Sequence, residues 1–221
     1  VLLPFLLIVF LYEILPLIMM ILSSFKSETD SSLLFTLENY ISAFTKLSYQ
    51  RAIINSLKIT IFSTAFGILI GFFGAQAAHN SRGKFRNIFL TILNMTSNFA
   101  GVPLAFAYMI ILGNSGVITQ FAKTYGVEFL TNFDLYTSSG LLLMYVYFQI
   151  PLSTLLLIPA FHGVRQEWRE ANMLLGGRPF DFWSKVGIPV LLPSIFGTMS
   201  VLFANALAAY ATAYALLMNN Y

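Results

Sequence analysis

Gln166 to Pro189 reads Q-E-W-R-E-A-N-M-L-L-G-G-R-P-F-D-F-W-S-K-V-G-I-P, a polar interruption between two long apolar runs. Four of the chain's twelve Lys and Arg (Arg165, Arg169, Arg178, Lys185) lie in or beside it, with Glu167, Glu170 and Asp181 among them. That much charge keeps the stretch out of hydrocarbon. Its centre is nonetheless apolar: Met173, Leu174 and Leu175 stand next to Gly176 and Gly177. A free connector has no need of that centre. An ordered element that offers an apolar knob to a partner explains both features, so the stretch is read as a docking element and the rest of the chain as what it moves.

The surroundings are membranous. Of 221 residues, 57% are hydrophobic and only 10% charged, against about 25% charged in a soluble domain. Mean hydropathy is +0.77. Five segments are long and apolar enough to span: Val1–Ser24, Ile53–Ala78, Ile88–Leu112, Ser139–Phe161 and Ile188–Met218. Crossing a hydrocarbon core takes about 20 helical residues. The N-terminus lacks a charged lead-in and a small-residue cleavage site, so it reads as a span and not a signal peptide. The predicted fold is all-α, a polytopic transmembrane helix bundle. Prolines inside the last three spans (Pro103, Pro151, Pro159, Pro189, Pro193) predict local kinks.

Loop charge sets the orientation. Arg82, Lys84 and Arg86 follow the second span and the docking stretch follows the fourth, which puts both in the cytoplasm. Between Asn114 and Ser138 a single base, Lys123, faces Glu128 and Asp134, as an outside loop should. Parity then leaves the C-terminus outside directly after the fifth span, and a sixth span is expected to follow. Residues 1–52 are read as a first span with an extracytoplasmic amphipathic segment, and 53–221 as a core domain carrying the docking loop at about 162–188. The amphipathic pattern (Leu37, Tyr40, Ile41, Phe44, Leu47, within Leu33 to Asn55) predicts a surface helix that Thr36 caps, with Glu38 in its first turn.

Locally the docking stretch predicts an elbow. Glu167 to Leu175 suits one short helix; Gly176 and Gly177 permit a sharp turn through positive φ. Pro179 suits the first position of a second helix, and Asp181 its first turn near the positive dipole end.

Glu170-Ala171-Asn172, three residues, Gly176, nine residues, then Val186-Gly187-Ile188-Pro189 resembles the EAA loop of binding-protein-dependent ABC importer permeases, written E-A-A, three residues, G, nine residues, I-x-L-P. Asn172 departs from the second alanine, and Val186 and Ile188 are conservative stand-ins. Ala52-Ile53-Ile54-Asn55-Ser56-Leu57 looks like the opening of that family's core. Arg169 to Tyr214 is similar to permeases of the spermidine/putrescine, iron, thiamine and aminoethylphosphonate group. The resemblance implies an inner-membrane permease of type I fold in the bacterial cell membrane, with ATPase coupling through Glu170, Ala171, Asn172, Met173, Leu174, Leu175, Gly176, Gly177, Arg178 and Pro189. It also implies partners: a second, non-identical permease, two ATP-binding subunits and an extracytoplasmic substrate-binding protein. The solute would be small, a polyamine or an aminophosphonate.

Polar residues at membrane depth are site candidates because hydrocarbon penalises them unless they are partnered. Asn98 and Pro103, Gln149, and Asn205, Tyr210, Thr212 and Tyr214 could line a translocation path; each could equally serve as an interhelical hydrogen-bonding group. Glu13, three residues before Pro16, is an intramembrane carboxylate open to a proton role or to pairing with a second subunit. His79 and His162, far apart in sequence, read as interfacial and not as metal ligands.

Function classes are excluded by what is missing. Cysteine is absent, so thiol catalysis and Cys-bound zinc are out. No basic run interleaved with aromatics suggests nucleic acid. No metalloprotease, esterase or phosphate-loop motif occurs. The chain is therefore expected to be no enzyme and to bind no cofactor or metal, with ATP and Mg on partner subunits. A gradient-driven transporter or channel is the alternative; it would need facing charged relays, and only Glu13 offers one.

Overall fold

The structure is a computed structural model in which residues 2–26 and 35–217 are described; all their regular secondary structure is helical. Five helical runs are long and apolar enough to cross a membrane: Leu2–Ser24, Leu47–Asn80, Val102–Tyr125, Ser138–Phe161 and Pro179–Leu217. The chain divides into two compact units, Val1–Asn55 and Ser56–Tyr221. Val1 and Met218, the outer limits expected for the first and fifth spans, and Leu33 lie outside the described residues.

In the first unit, the Leu2–Ser24 helix widens into a π turn at Phe10–Ile14. Pro16 causes this, since its ring crowds the carbonyl of Tyr12 and it offers no N–H in return. Glu13 sits in that turn, exposed. The short helix Glu38–Thr45 is tied to the end of the span by the Asn39 amide, which donates to Ser24 O at 3.0 Å and Lys26 O at 2.8 Å. Phe25 stacks on Phe35 with centroids 4.6 Å apart. Leu37 and not Thr36 holds the cap position of this helix; Thr36 Oγ1, one residue earlier, accepts the Glu38 N–H at 3.1 Å. The amphipathic stretch is not one helix to Asn55, however. Lys46 turns extended, and Leu47 already starts the 34-residue helix of the second span.

In the second unit, Ser138–Phe161 is the hub and the most deeply buried of the five. One core collects Met144, Tyr145 and Phe148 with Ile59, Leu104 and Leu216; another collects Leu157, Ile158 and Phe161 with Ala75, Ala78 and Leu191. The helix runs unbroken through Pro151 and Pro159. Ser153 and Thr154 donate to Ile150 O at 2.9 and 2.8 Å inside it.

Its contact with Leu47–Asn80 is made by small residues. A Cβ on Gly67 would lie 2.9 Å from Gln149 Cβ, one on Gly74 2.8 Å from Thr154 Oγ1, and one on Gly71 would collide with Ser153 Oγ. The approach is close enough for Ser153 to donate to Gly67 O across the interface at 2.6 Å. Glycines at this spacing let helices meet backbone to side chain where lipid supplies no hydrophobic drive.

The third and fifth spans are broken, and not where their prolines alone would put the kinks. The expected Ile88–Leu112 helix is two helices, Gly83–Ser97 and Val102–Leu112. Gly101 between them has φ +73° and ψ −145°, a conformation reserved for glycine, and Pro103 then opens the second piece. The apolar run goes on from Val102 to Tyr125 with a step at Gly113–Gly116. The fifth span breaks between Ile188–Ala208 and Tyr210–Leu217, at Ala209. No proline or glycine stands there. The Tyr145 hydroxyl donates to the Ala209 carbonyl at 2.6 Å, which ties the break to the fourth span through a polar group of the kind that satisfies irregular backbone within a bundle.

Candidate functional site: the elbow and the broken helices

The first elbow helix is Gln166–Leu174. It ends in a left-handed glycine cap, with Gly176 at φ +76°. Gly176 N–H donates to Met173 O at 3.0 Å and Gly177 N–H to Asn172 O at 2.8 Å, the paired bonds of a Schellman motif. Arg178 follows as the cap of the second helix, Pro179–Phe182, and its N–H donates to Asp181 Oδ2 at 3.0 Å. Lys185 pairs with Asp181 at 3.4 Å. That helix passes through a π turn at Trp183–Gly187, just ahead of Pro189, into Ile188–Ala208. The second half of the elbow and the fifth span as far as Ala208 are thus one continuous helical piece from Pro179.

Its base is anchored by aromatic packing. Trp183 lies 6.1 Å from the Phe72 ring and 6.2 Å from Phe161, and Phe182 is buried beside it. Its tip is bare. Leu174 and Leu175 are 89% and 88% exposed, and Phe180 is 79% exposed. Met173 is exposed as well, while Glu170 accepts from the Gln166 amide at 3.0 Å. Ala171 lines an open apolar groove with Trp168, Leu175, Val186 and Val190.

The two glycines do different work. Only Gly176 has positive φ. Gly177 is needed for space, because a Cβ there would run into the Asn172 side-chain amide. That amide donates to Arg178 O at 3.3 Å and bridges the two elbow helices. Asn172, the departure from the family pattern, therefore holds its amide in the space that glycine leaves open at 177. Gly177→Ala alone should lower thermal stability and uptake by displacing the amide, at a cost of about 1–2 kcal/mol. Asn172→Ala in the same chain should recover most of the loss. A double-mutant cycle on melting temperature and transport checks this; strictly additive losses would refute the pairing.

The membrane-depth candidates separate into two groups. Gln149 and Thr212 are buried. Gln149 Nε2 donates to Leu202 O at 2.8 Å, joining the fourth and fifth spans, and its Oε1 has no partner among the described residues. Asn98, Pro103, Asn205, Tyr210 and Tyr214 are exposed. Asn98 donates to Asn94 O at 2.8 Å at the end of its own helix. Tyr210 and Tyr214 put their rings 5.2 Å apart. The two helix breaks meet: a Cβ on Gly101 would lie 3.8 Å from Ala211 Cβ. Below the Ala209 break a cavity of about 190 Å³ is lined by Ser56, Thr60, Tyr145 and Tyr210. Tyr145 and Ser153 escape a reading that looks only for isolated polar residues; the Gly67-x-x-x-Gly71 spacing opposite Ser153 was the available signal.

His79 and His162, distant in sequence, face each other with rings 5.1 Å apart. Among the described residues no group of three His, Cys, Asp or Glu could hold a metal ion.

No protein-family model matches the sequence. Similarity to characterised proteins is broad and low. The chain is 24% identical over 204 residues to the probable sulfate transport system permease protein cysT of Helicosporidium sp. subsp. Simulium jonesii, covering 92% of this chain and 72% of that one. It is 24% identical over 207 residues to the spermidine/putrescine transport system permease protein PotB of Escherichia coli, covering 90% and 74%. Against the thiamine transport system permease protein ThiP of Escherichia coli it is 24% identical over 179 residues, covering 81% of this chain but only 32% of ThiP. Alignments that run through most of the helical bundle, each to a transport-system permease, agree with the five membrane-crossing helices: this chain is similar, along most of its length, to the inner-membrane permeases of ABC importers.

Proposed function

We propose that the chain is a coupling permease whose Gln166–Pro189 elbow docks into a cytosolic ATP-binding subunit and moves the fifth span. The observation that carries this is the tip: Leu174 and Leu175, nearly fully exposed, held out on a capped and aromatically anchored elbow. Glu170, Ala171, Asn172, Met173, Leu174, Leu175, Gly176, Gly177, Arg178 and Pro189 form this device. Pro179 to Ala208 runs as one helical piece, so displacement passed from the tip through the capped glycine turn to Pro179 carries on to the Ala209 break. ATP and Mg sit on the partner, since the chain carries no phosphate-cradling loop.

The transported solute is small, delivered from outside by a binding protein, and the path runs between this chain and a second, non-identical permease. The exposed Asn98, Asn205, Tyr210 and Tyr214 offer neutral polar and aromatic contacts along it, and Pro103 opens the helix beside them. The Tyr210–Tyr214 pair supports a cationic amine, a polyamine or aminophosphonate, because aromatic faces attract ammonium groups.

Because the chain has no cysteine, a single Leu175→Cys variant gives a clean crosslinking probe. With a short thiol-reactive linker it should crosslink to the ATP-binding subunit in membranes, with a yield that changes when ATP is bound. Absence of any such crosslink, while the complex still purifies intact, would refute docking through the tip.

A further inference from the structure

Behind the elbow lies a cavity of about 390 Å³, bounded by the end of the second-span helix, the end of the fourth and the first elbow helix. The volume falls within the range of small-ligand pockets. Its floor is apolar, made by Phe161, Phe182 and Trp183, of which Phe161 and Phe182 are each 2% exposed. Its wall is cationic and hydrogen-bonding. Arg165 and Arg169 line it, and so does His79, whose buried Nδ1 has no partner among the described residues. Gln166, the first residue of the elbow helix, lies at the same wall, adding the positive end of that helix's dipole. The one acid of the lining, Glu170, is engaged by the Gln166 amide. Arg86 stands close by, donating to Ala78 O at 3.2 Å.

We propose that this cavity binds a phosphate ester, supplied as the head group of an anionic phospholipid. An apolar floor beneath a cationic wall, beside the ends of two spans, matches a glycerophosphate whose chains remain in the bilayer. Basic pockets between helices on the cytoplasmic side recognise such head groups. Arg165 and Arg169 would meet the phosphate oxygens, and His79 Nδ1 would gain the partner it lacks. The inference rests on the cytosolic placement of the elbow. It makes the lipid a strut between the elbow and the spans, so that coupling depends on lipid charge.

The test uses the full chain in nanodiscs containing phosphatidylcholine with a minor fraction of phosphatidylglycerol, followed by extraction and counting of the retained lipid. Phosphatidylglycerol should be retained over phosphatidylcholine. Arg165→Gln with Arg169→Gln should cut that selectivity by roughly tenfold or more, as expected for two arginines near a membrane surface. Arg82→Gln with Lys84→Gln, which removes two cations outside the cavity, should leave it unchanged. His79→Phe, which keeps a ring and removes the donor, should weaken it in the same direction and serves if the double arginine variant fails to fold. Equal loss in both double variants would mean general surface charge and overturn the site, as would no selectivity at all. Stabilisation of the chain by millimolar inorganic phosphate in pure phosphatidylcholine, lost in Arg165→Gln/Arg169→Gln, would make the occupant a soluble phosphate and overturn the lipid assignment. The assay needs no ATP-binding subunit. Failed crosslinking from position 175 with intact lipid retention would therefore count against the coupling reading alone.

Discussion

Replacing Leu174 and Leu175 together with aspartate should leave the permease folded and strip it of its ATP-binding subunit. The two side chains are 89% and 88% exposed, so they hold nothing of the chain's own together, and the melting temperature of the isolated permease should stay where it is. Burying a leucine fully in a partner is worth about 1.5–3 kcal/mol. Losing both, before counting the cost of two carboxylates against an apolar groove, weakens association by roughly 10²–10⁴-fold at a tenfold loss per 1.4 kcal/mol. A binding titration between the purified permease and its ATP-binding subunit reads this directly. Unchanged affinity would show that the partner grips some other surface. Truncation to alanine at the two positions should give a smaller loss in the same direction, because apolar area is removed without added charge.

Gly176→Val should nearly abolish coupled uptake, whereas Gly176→Asn should be tolerated. Space is not the reason, since a Cβ at this position meets nothing within 4 Å. The reason is φ +76°. Left-handed backbone costs an ordinary residue about 1–2 kcal/mol, while asparagine visits it routinely, and a β-branched residue is worse placed still. A valine would be relieved by unwinding the cap. That frees the carbonyls of Met173 and Asn172 and swings the Leu174–Leu175 tip out of register with Pro179. Uptake should drop by roughly tenfold or more for valine, taking that backbone cost as the floor. Solute transported per ATP hydrolysed is the discriminating measurement, because a merely destabilised protein loses both rates together. Valine and asparagine variants of equal coupling would refute the cap as the source of the elbow's shape.

These two effects mark how far local reading goes. Every bond that shapes the elbow is made within six residues: Gly177 to Asn172, Gly176 to Met173, Arg178 to Asp181, Asn172 to Arg178. Glycine, proline and aspartate at those offsets are legible because the partner of each lies one turn away. The five apolar runs are legible for a related reason, since lipid demands length and composition whatever the neighbours are. What glycine means at 177 is not legible alone. It takes the side chain at 172, folded back over it, to turn a presumed hinge residue into one that makes room.

The breaks in the third and fifth spans belong to the other class. Pro103 signals irregularity, but the left-handed residue is Gly101, and the helix stops there because Pro103 can only begin a new one. Ala208-Ala209-Tyr210 signals nothing; a run of alanines is good helix. The fifth span opens at Ala209, and the carbonyl there takes a hydrogen bond from the Tyr145 hydroxyl, 64 residues earlier in the chain. Gln149 likewise turned inward to Leu202 O, on a different helix. Hydrophobic length and nearest-neighbour capping are written along the chain. A carbonyl freed in hydrocarbon is stable only if another helix brings a donor to it, and that meeting exists only once the helices have packed.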